Sequence, residues 1–396
     1  KEYPKRQSNW LPAPFIYVPS ELRDDRYEQK DILSNLPLLA YGLQLDDEDI
    51  DRLDNVNAYG FLKAMGVSEK FIDSVWRFTC RSIMNVPLEY CSAGALLNFY
   101  RYFVGYGSYD VGFPREGLGE LFAPEAEEFF RNHEHATLHL ETEVEELLHR
   151  TDRVKGAVLA DGTKIEADRT VVGLTVPQLQ TLIPRDWSRR YDYFSELGYL
   201  EPCRYISPYL WFDRDLTDLK FWARRYEYSD LNCDFYDLSN ISRSVNDGNS
   251  LITSNIIYTD RLGELSDEEI VEETLMELAE YLPEARQATL KHSVVNRVPL
   301  AIHSPFPGTQ QRRPDPDAPL DGLYLTGDWI DTGLPSSMES ATKAGWMVTD
   351  SIVAEDGGDS QLTRPIREVE GVAKLIKQAG EWAPLKKLRK WIPPTA

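Results

Sequence analysis

The segment spanning residues 322–348 constrains the fold of this chain more than any other part of the sequence. Its apolar run Leu323-Tyr324-Leu325 predicts a short buried strand, and the polar loop that follows contains the structure-breaking residues Gly333 and Pro335. The serines before Met338 and the apolar residues at helical spacing behind it predict the start of a helix. The sequence therefore predicts a strand, a polar loop and a helix in direct succession, which is typical of an α/β fold.

The loop of this segment has chemistry suited to a polar ligand. Free backbone N–H groups and the helix dipole converge at the N-terminus of a helix, where they favour anionic or electron-rich groups. The carboxylate of Asp328, at the carboxyl end of the predicted strand, suits the hydroxyl groups of a sugar or ribityl chain. The alternative interpretation is an ordinary strand–loop–helix corner of an α/β domain.

Residues 323–345, LYLTGDWIDTGLPSSMESATKAG, closely resemble the C-terminal flavin motif of the flavin-containing amine oxidase and carotenoid desaturase superfamily. Within it, the resemblance is nearest to the squalene-associated (hydroxysqualene) FAD-dependent desaturases and the plant-type phytoene desaturases. The resemblance implies that FAD is the cofactor. It also implies a mixed α/β (α+β) fold, in which a partial FAD-binding Rossmann-like domain is interleaved with a helical and antiparallel-sheet substrate domain.

The same resemblance implies which residues bind the cofactor. Asp328 is expected to hold the ribityl chain, and the backbone N–H of Met338 is expected to face the N1/C2=O edge of the flavin. The backbone of Val144 is expected to meet the adenine, and the stretch 171–177 to pass the pyrophosphate. The predicted FAD-binding residues are Val144, Gly327, Asp328, Pro335, Ser337 and Met338.

Hydrophobic periodicity gives the order of elements along the chain. Helices are predicted at 28–45, 57–65, 68–81, 93–103, 266–282, 369–382 and 385–392, with a further helix ending at Arg131. Strands are predicted at 137–140, 144–148, 154–159, 165–172 and 294–303. The domain plan is a helical part of the substrate domain at 1–112, an FAD-domain segment at 113–180, the substrate-domain sheet and helices at 181–303, a second FAD-domain segment at 304–354 and an amphipathic tail at 355–396.

The sequence contains no GxGxxG motif, the glycine-rich turn that normally lets a backbone approach the pyrophosphate of a dinucleotide. Gly105-Tyr-Gly107 and Gly117-Leu-Gly119 lack the third glycine and the preceding strand. Three explanations stay open: the chain is a fragment, a second chain supplies the nucleotide-binding half, or the chain is a degenerate member that no longer binds FAD.

Composition and residue pattern narrow the possible partners, cellular location and metal sites of this protein. The formal net charge of −22 opposes a general electrostatic contact with nucleic acid, so no nucleic-acid partner is expected. Cys80, Cys91, Cys203 and Cys233 include no CxxC pair and are predicted to be reduced thiols, which favours a cytoplasmic protein. The histidines at 133, 135 and 139 have no supporting ligand pattern, so we expect surface residues and no metal site.

Three functions are compatible with these features. The first is an FAD-dependent oxidoreductase acting on a long isoprenoid, such as a carotenoid precursor or hydroxysqualene, by hydride transfer to the flavin. The many aromatic residues between 181 and 305 favour such a large, apolar ligand. The second is a flavin amine oxidase, and the third is a non-catalytic subunit that has lost FAD binding. No catalytic residue is assigned, although Arg297 is a weak candidate on the substrate side.

The C-terminal segment 384–392 is the one basic cluster of an acidic chain. Its lysines and arginine alternate with leucines and Trp391, a pattern that predicts a peripheral contact with an anionic membrane surface. A helix packed on its own domain is the alternative, and the sequence does not choose between the two.

Overall fold

The computed structural model describes residues 27–106, 112–223, 230–245 and 248–390, together with Phe15, Ser20, Leu22 and Arg23. The irregular entry predicted at residues 9–14 lies outside the described residues, as do Trp391 and Ile392 of the predicted tail. Within the described part, the chain combines a helical block, a hairpin sheet with an adjoining parallel strand pair, and a larger antiparallel sheet. The predicted mixed α/β fold class is confirmed.

The helical block packs around one apolar core that includes Leu53, Leu62 and Trp76. The predicted single helix over 28–45 is wrong, because the chain forms two helices that meet at Asn35, where Pro37 occupies the first turn of the second. A helix that sequence reasoning missed follows, capped by reciprocal contacts of Asp46 and Asp49. The helices of this block are α1 Gln29–Ser34, α2 Leu36–Gln44, α3 Asp47–Asp54, α4 Ala58–Ala64, α5 Glu69–Phe71, α6 Arg77–Thr79 and α7 Ala93–Phe103.

The helix predicted over 68–81 is interrupted. π-helical segments at Ile72–Trp76 and Cys80–Met84 separate α5 from α6 and extend the helical run beyond it. All four cysteines are buried and unpaired, which agrees with the predicted thiols. Helix α8, Leu118–Asn132, follows as the expected helix to Arg131, but none of its residues is buried.

A small hairpin sheet and a parallel strand pair form the second region. Strands β1 Val144–Arg150, β2 Arg153–Leu159 and β3 Lys164–Glu166 pair antiparallel, and the predicted turn at Asp161-Gly162 joins β2 to β3. The strand predicted over 165–172 splits, because its second half, β4 Thr170–Val172, instead pairs in parallel with β11 Leu323–Leu325. The strand predicted at 137–140 is an exposed loop that pairs with no described strand.

The third region is a six-stranded antiparallel sheet, covered on one face by helix α12, Asp267–Tyr281. The capping box of Ser266 and Glu269 begins this helix as predicted. The strand predicted at 294–303 ends at Val298, before Pro299. The strands of this sheet are β5 Tyr205–Phe212, β6 Phe221–Ala223, β7 Asp234–Asp237, β8 Leu251–Ser254, β9 Ile256–Ile257 and β10 Leu290–Val298. They lie in the order β10-β5-β8-β7-β6, with β9 beside β5.

Three short helices link the second region to the third: α9 Val176–Leu182, α10 Trp187–Arg190 and α11 Asp192–Glu196. After β11 the chain forms α13, Met338–Glu355. The tail forms α14 Gly371–Gly380 and α15 Ala383–Lys390. Helix α14 packs on α2, where Ala373 and Val369 meet Leu43. No helix of the described residues is long and apolar enough to cross a membrane.

Candidate cofactor site

The parallel pair β4–β11 sets the position of the candidate site. Thr170, Val171 and Val172 lie opposite Leu323, Tyr324 and Leu325, so both strands run in the same direction and end at the same edge. The carboxyl ends of parallel strands in α/β folds are where ligands commonly bind. The loop after β11 and the segment after β4 therefore meet at the edge where a ligand is expected.

A cavity of about 30 Å³ lies at this edge. Thr175, Val176 and Pro177 line it from the end of β4, and Asp328 and Trp329 line it from the end of β11. The remaining lining comes from the connections to the antiparallel sheet, at Leu200, Pro202, Leu300, Ala301, Ile302 and His303. The structure thus places Asp328 and part of the 171–177 stretch, which the flavin resemblance had singled out separately, around one cavity.

Gly327 allows the loop to turn sharply after β11. Its φ is +148°, and a Cβ atom at this position would lie 2.5 Å from Nε1 of Trp329, so a larger residue would collide with the indole ring. Nε1 of Trp329 donates a hydrogen bond of 3.0 Å to the carbonyl oxygen of Leu174. This contact ties the loop after β11 to the segment after β4.

Arg313 holds the remainder of this loop in place, and its side chain is buried. Its guanidinium donates to backbone carbonyl oxygens along the loop, at 3.0 Å to Asp328, 2.6 Å to Ile330 and 2.6 Å to Leu334. Burial lowers the pKa of Arg313, an effect that the nearby carboxylates of Asp331 and Asp328 oppose. Nε of Arg313 also donates to the carbonyl oxygen of Trp329 at 3.3 Å, so one planar group restrains four backbone carbonyls of the loop.

The carboxyl group of Asp328 is half-buried. Burial raises its pKa, while hydrogen bonding of its backbone, the charge of Arg313 and the hydroxyl of Ser336 act in the opposite direction. Such a carboxylate is desolvated enough to gain from hydroxyl donors of a ligand, since hydrogen bonds to charged groups are the stronger ones.

Helix α13 begins beside this carboxylate. Ser337 is its N-cap, and its hydroxyl accepts a hydrogen bond from the backbone N–H of Ser340 at 3.1 Å, as the serine pattern predicted. Met338, the first helical residue, is 56% exposed, so the helix N-terminus is open on the side of its first turn. An open N-terminus of an 18-residue helix favours negative charge nearby.

His303 is a buried histidine at the junction of the loop and the antiparallel sheet. Its Nδ1 lies 2.8 Å from the hydroxyl oxygen of Ser336, whereas Nε2 has no hydrogen-bond partner among the described residues. Burial, with the charge of Arg313, lowers the pKa of His303 to about 3. The imidazole is therefore neutral at physiological pH. His303 also lines a second cavity of about 10 Å³, to which Pro335 and Ser336 contribute.

The structure brings most of the predicted site residues together. Gly327, Asp328, Pro335, Ser337 and Met338 all lie on the loop and helix start that follow β11. Val144 is the exposed first residue of β1 and lines neither cavity, so its role toward adenine stays a prediction.

Sequence reasoning missed Arg313 and His303. Nothing in the pattern Gln-Gln-Arg-Arg-Pro distinguishes Arg313 from Arg312, whose guanidinium instead lies over the ring of Tyr199. His303 was the last residue of a predicted strand, with no local signal of a role. The weak candidate Arg297 pairs with Asp267 at 2.7 Å on the surface and is 47% exposed.

One face of the antiparallel sheet is aromatic. Tyr209 and Trp211 alternate with buried residues along β5, and their rings stack at 6.2 Å. Tyr236 pairs across the sheet with Thr253 and Phe221, and the rings of Phe221 and Tyr236 are 5.0 Å apart. We call this surface the aromatic face and define it by Tyr209, Trp211, Phe221 and Tyr236. Phe221 is 39% exposed, so the aromatic face is open to large apolar ligands.

The histidines at 133, 135 and 139 lie on the surface. Across the ranges that the structure describes, no group of three or more His, Cys, Asp or Glu side chains is placed to hold a metal ion.

Comparison with known proteins places these features in context. The family model described as flavin containing amine oxidoreductase matches residues 2–353. The 15-cis-phytoene desaturase of Synechococcus elongatus is 31% identical over 208 residues, which are 51% of this chain and 43% of that protein. The chloroplastic/chromoplastic enzyme of Solanum lycopersicum is 29% identical over 52% of this chain and 36% of its own length. The chain thus spans less than half the length of these phytoene desaturases.

A zeta-carotene desaturase of Synechocystis is 23% identical over 380 residues, covering 86% of this chain and 76% of that protein. Solved structures share the fold at lower identity. A putrescine oxidase with bound putrescine superposes with a TM-score of 0.62 at 14% identity, covering 83% of this chain and 76% of that one. Reduced UDP-galactopyranose mutase superposes with a TM-score of 0.56 at 13% identity, over 78% and 74% of the two chains.

Proposed function

Because this chain belongs to the flavin containing amine oxidoreductase family, we propose that it forms the flavin-facing and substrate-binding part of an FAD-dependent oxidoreductase that acts on a carotenoid-like polyene. Phytoene and zeta-carotene desaturases are among its relatives, which supports a carotenoid precursor as substrate. Hydroxysqualene is the second isoprenoid considered. None of the relatives reported above is named for hydroxysqualene.

One observation carries the proposal: the loop after β11 lies where the parallel strand pair meets the antiparallel sheet that carries the aromatic face. His303 pairs with Pro202 at the entry to β5, and it touches Ser336 of the loop. A ligand that binds at Asp328 is therefore close to the first residues of the sheet. A long apolar substrate on the aromatic face can extend from the sheet towards that ligand.

The residues of the loop fit a flavin. Asp328 offers a half-buried carboxylate to ribityl hydroxyls, and the N-terminus of α13 favours the negative charge of a reduced flavin ring. Bound FAD supplies the acceptor for a hydride taken from a substrate carbon. The chain contributes by fixing the loop through Arg313 and by excluding water with the apolar lining of the cavity.

The pyrophosphate part of the cofactor needs a glycine-rich turn that this sequence does not contain. A strand–GxGxxG–helix unit, in the same polypeptide or in a second chain, is proposed to complete the site. Helix α8 supports this proposal, because it exposes several large apolar side chains that a packed neighbour would cover. These side chains are Leu118, Leu121, Phe122, Phe129 and Phe130.

Anaerobic mixing of the purified flavoprotein with candidate substrates tests the proposal without knowledge of the electron acceptor. We expect phytoene or zeta-carotene, delivered in detergent micelles, to bleach the flavin absorbance and to yield a product with one more double bond. If only hydroxysqualene bleaches the flavin, the substrate is that isoprenoid and not a carotenoid precursor. If only amines bleach it, amine oxidation is favoured. A purified protein that retains no flavin even when a strand–GxGxxG–helix unit is supplied would overturn the proposal.

A further inference from the structure

His303 has a polar atom that the described part of the protein leaves without a partner. The side chain is 6% exposed, and Nε2 is buried with no hydrogen-bond partner among the described residues. A buried polar atom without a partner costs about 1–3 kcal/mol, so such atoms usually meet a ligand or an ordered water. His303 lines both cavities beside the loop that follows β11.

The contact with Ser336 occupies one of the two ring nitrogens. The hydroxyl oxygen of Ser336 lies 2.8 Å from Nδ1 of His303 and 3.4 Å from the carbonyl oxygen of Asp328. A hydroxyl group both donates and accepts hydrogen bonds, so this contact satisfies Nδ1 in either tautomer of the ring. Nε2 is then the ring nitrogen that still needs a hydrogen-bond partner.

The surroundings of His303 restrict what the partner of Nε2 can be. Most of the first cavity is lined by apolar side chains, and its polar groups are Thr175, His303 and Asp328. A cavity of about 30 Å³ has room for one or two water molecules. A water there would find few partners besides the residues that also face the proposed flavin.

We infer that His303 is a cofactor-binding residue, whose Nε2 forms a hydrogen bond with a polar atom of the ribityl–isoalloxazine part of the flavin. This inference rests on the proposed function and adds a residue to it. Ser336 acts through His303 as a positioning residue, since its contact with Nδ1 fixes the orientation of the ring. Because the imidazole is neutral, it orients the cofactor without adding a positive charge.

Two substitutions separate the two ring nitrogens. His303→Asn keeps an amide group near the position of Nδ1 and removes the Nε2 group, whereas His303→Gln places an amide group near the position of Nε2. His139→Asn, on an exposed loop, is the matched control. Each protein is titrated with FAD and with riboflavin, which has the isoalloxazine and ribityl groups but no phosphates, and flavin fluorescence and thermal unfolding of the flavin-free form are measured.

We expect His303→Asn to weaken binding of both flavins about three- to tenfold, the worth of one hydrogen bond, and to shift the visible flavin spectrum. His303→Gln should restore affinity to within about twofold of the parent. Equal affinity of His303→Asn and the parent would overturn the inference, and so would equal losses in both variants that follow the thermal stability of the flavin-free protein. A parent that binds neither flavin when the strand–GxGxxG–helix unit is supplied would overturn the proposed function itself.

If His303→Asn does not fold, the parent protein still decides the question. With isotopically labelled histidine, the imidazole that stays neutral through mild acid identifies His303. We expect its Nε2 resonance to move when riboflavin is added. An unchanged resonance at saturating riboflavin would show that the partner of Nε2 is water, and would overturn the inference.

Discussion

The guanidinium group of Arg313 donates a hydrogen bond of 3.0 Å to the backbone carbonyl oxygen of Asp328. Asp328 also lines the candidate cavity, so the same residue joins the cavity to the loop that Arg313 holds. Fourteen residues of sequence separate the two, and the same guanidinium also holds Ile330 and Leu334. The preorganisation of the candidate flavin site therefore depends on a residue outside the flavin motif.

Replacing Arg313 by lysine should destabilise the loop. A lysine cannot reach several carbonyl oxygens at once, and each buried acceptor left unpaired costs about 1–3 kcal/mol, so we expect a loss of about 3 kcal/mol in the free energy of unfolding. Denaturant unfolding measures this change. Arg297→Lys, at an exposed ion pair, is the control and should change stability by less than about 1 kcal/mol. Equal effects of the two substitutions would show that Arg313 does not hold the loop.

Asp328→Ala and Asp328→Asn should weaken FAD binding and leave the fold intact, because the structural contacts of this residue run through its backbone carbonyl. Losing a charged acceptor for ribityl hydroxyls costs about 1.5–3 kcal/mol, or roughly a 10- to 100-fold loss of affinity. Equilibrium titration with FAD measures it. Asp331→Asn, at an exposed position of the same loop, should bind like the parent. If both Asp328 variants bind FAD as tightly as the parent, the assignment of Asp328 to the ribityl chain is wrong.

His303 should make folding stability depend on pH. Burial lowers its pKa to about 3, below the value of about 6.5 in an unfolded chain. Between these pH values the imidazole is protonated in the unfolded chain and neutral in the folded protein. The contribution of His303 to the free energy of unfolding is therefore fully present above about pH 6.5 and is lost as the pH falls. Relative to His303→Gln, the parent should lose about 2 kcal/mol of unfolding free energy between about pH 7 and about pH 5. Parallel stability curves for the two proteins would contradict a neutral, buried imidazole.

The basic tail is folded onto an acidic helix. Nζ of Lys386 lies 2.7 Å from a carboxylate oxygen of Asp46, Nε of Arg389 lies 3.1 Å from Asp49, and Lys390 pairs with Glu48. The side chain of Arg389 is only 5% exposed. These ion pairs compete with the predicted membrane contact, which stays a prediction.

Asp46→Asn combined with Glu48→Gln should therefore increase sedimentation with anionic liposomes at low salt, because Lys386 and Lys390 lose their partners. Each freed basic residue near an anionic surface contributes about 1 kcal/mol. Asparagine still serves as a helix N-cap at position 46, so α3 should persist. The control is Glu268→Gln combined with Glu272→Gln. It makes the same change in net charge at exposed positions of another helix. A similar gain in the control would assign the effect to net charge alone.

Much of the local structure could be predicted from the sequence. The turn at Asp161-Gly162, the capping box at Ser266 and the cap at Ser337 depend on residues within a few positions, and all three are present. Predictions failed where the structure of a segment depends on partners that are distant in the sequence. The predicted strand 165–172 was divided because β3 pairs with β2 while β4 pairs with β11, more than a hundred residues away.

The sequence by itself determined the strand–loop–helix order around Asp328, because that order follows from short-range patterns of apolar, glycine and serine residues. The expectation of a flavin at this segment came from its resemblance to a known motif. Tertiary structure alone decided which of two adjacent arginines is buried against the loop, and that a histidine with no local signal lies beside Ser336. The physical reason is that hydrogen bonds to backbone carbonyls and the burial of a charge depend on which segments the fold packs together. No pattern within either segment specifies those partners.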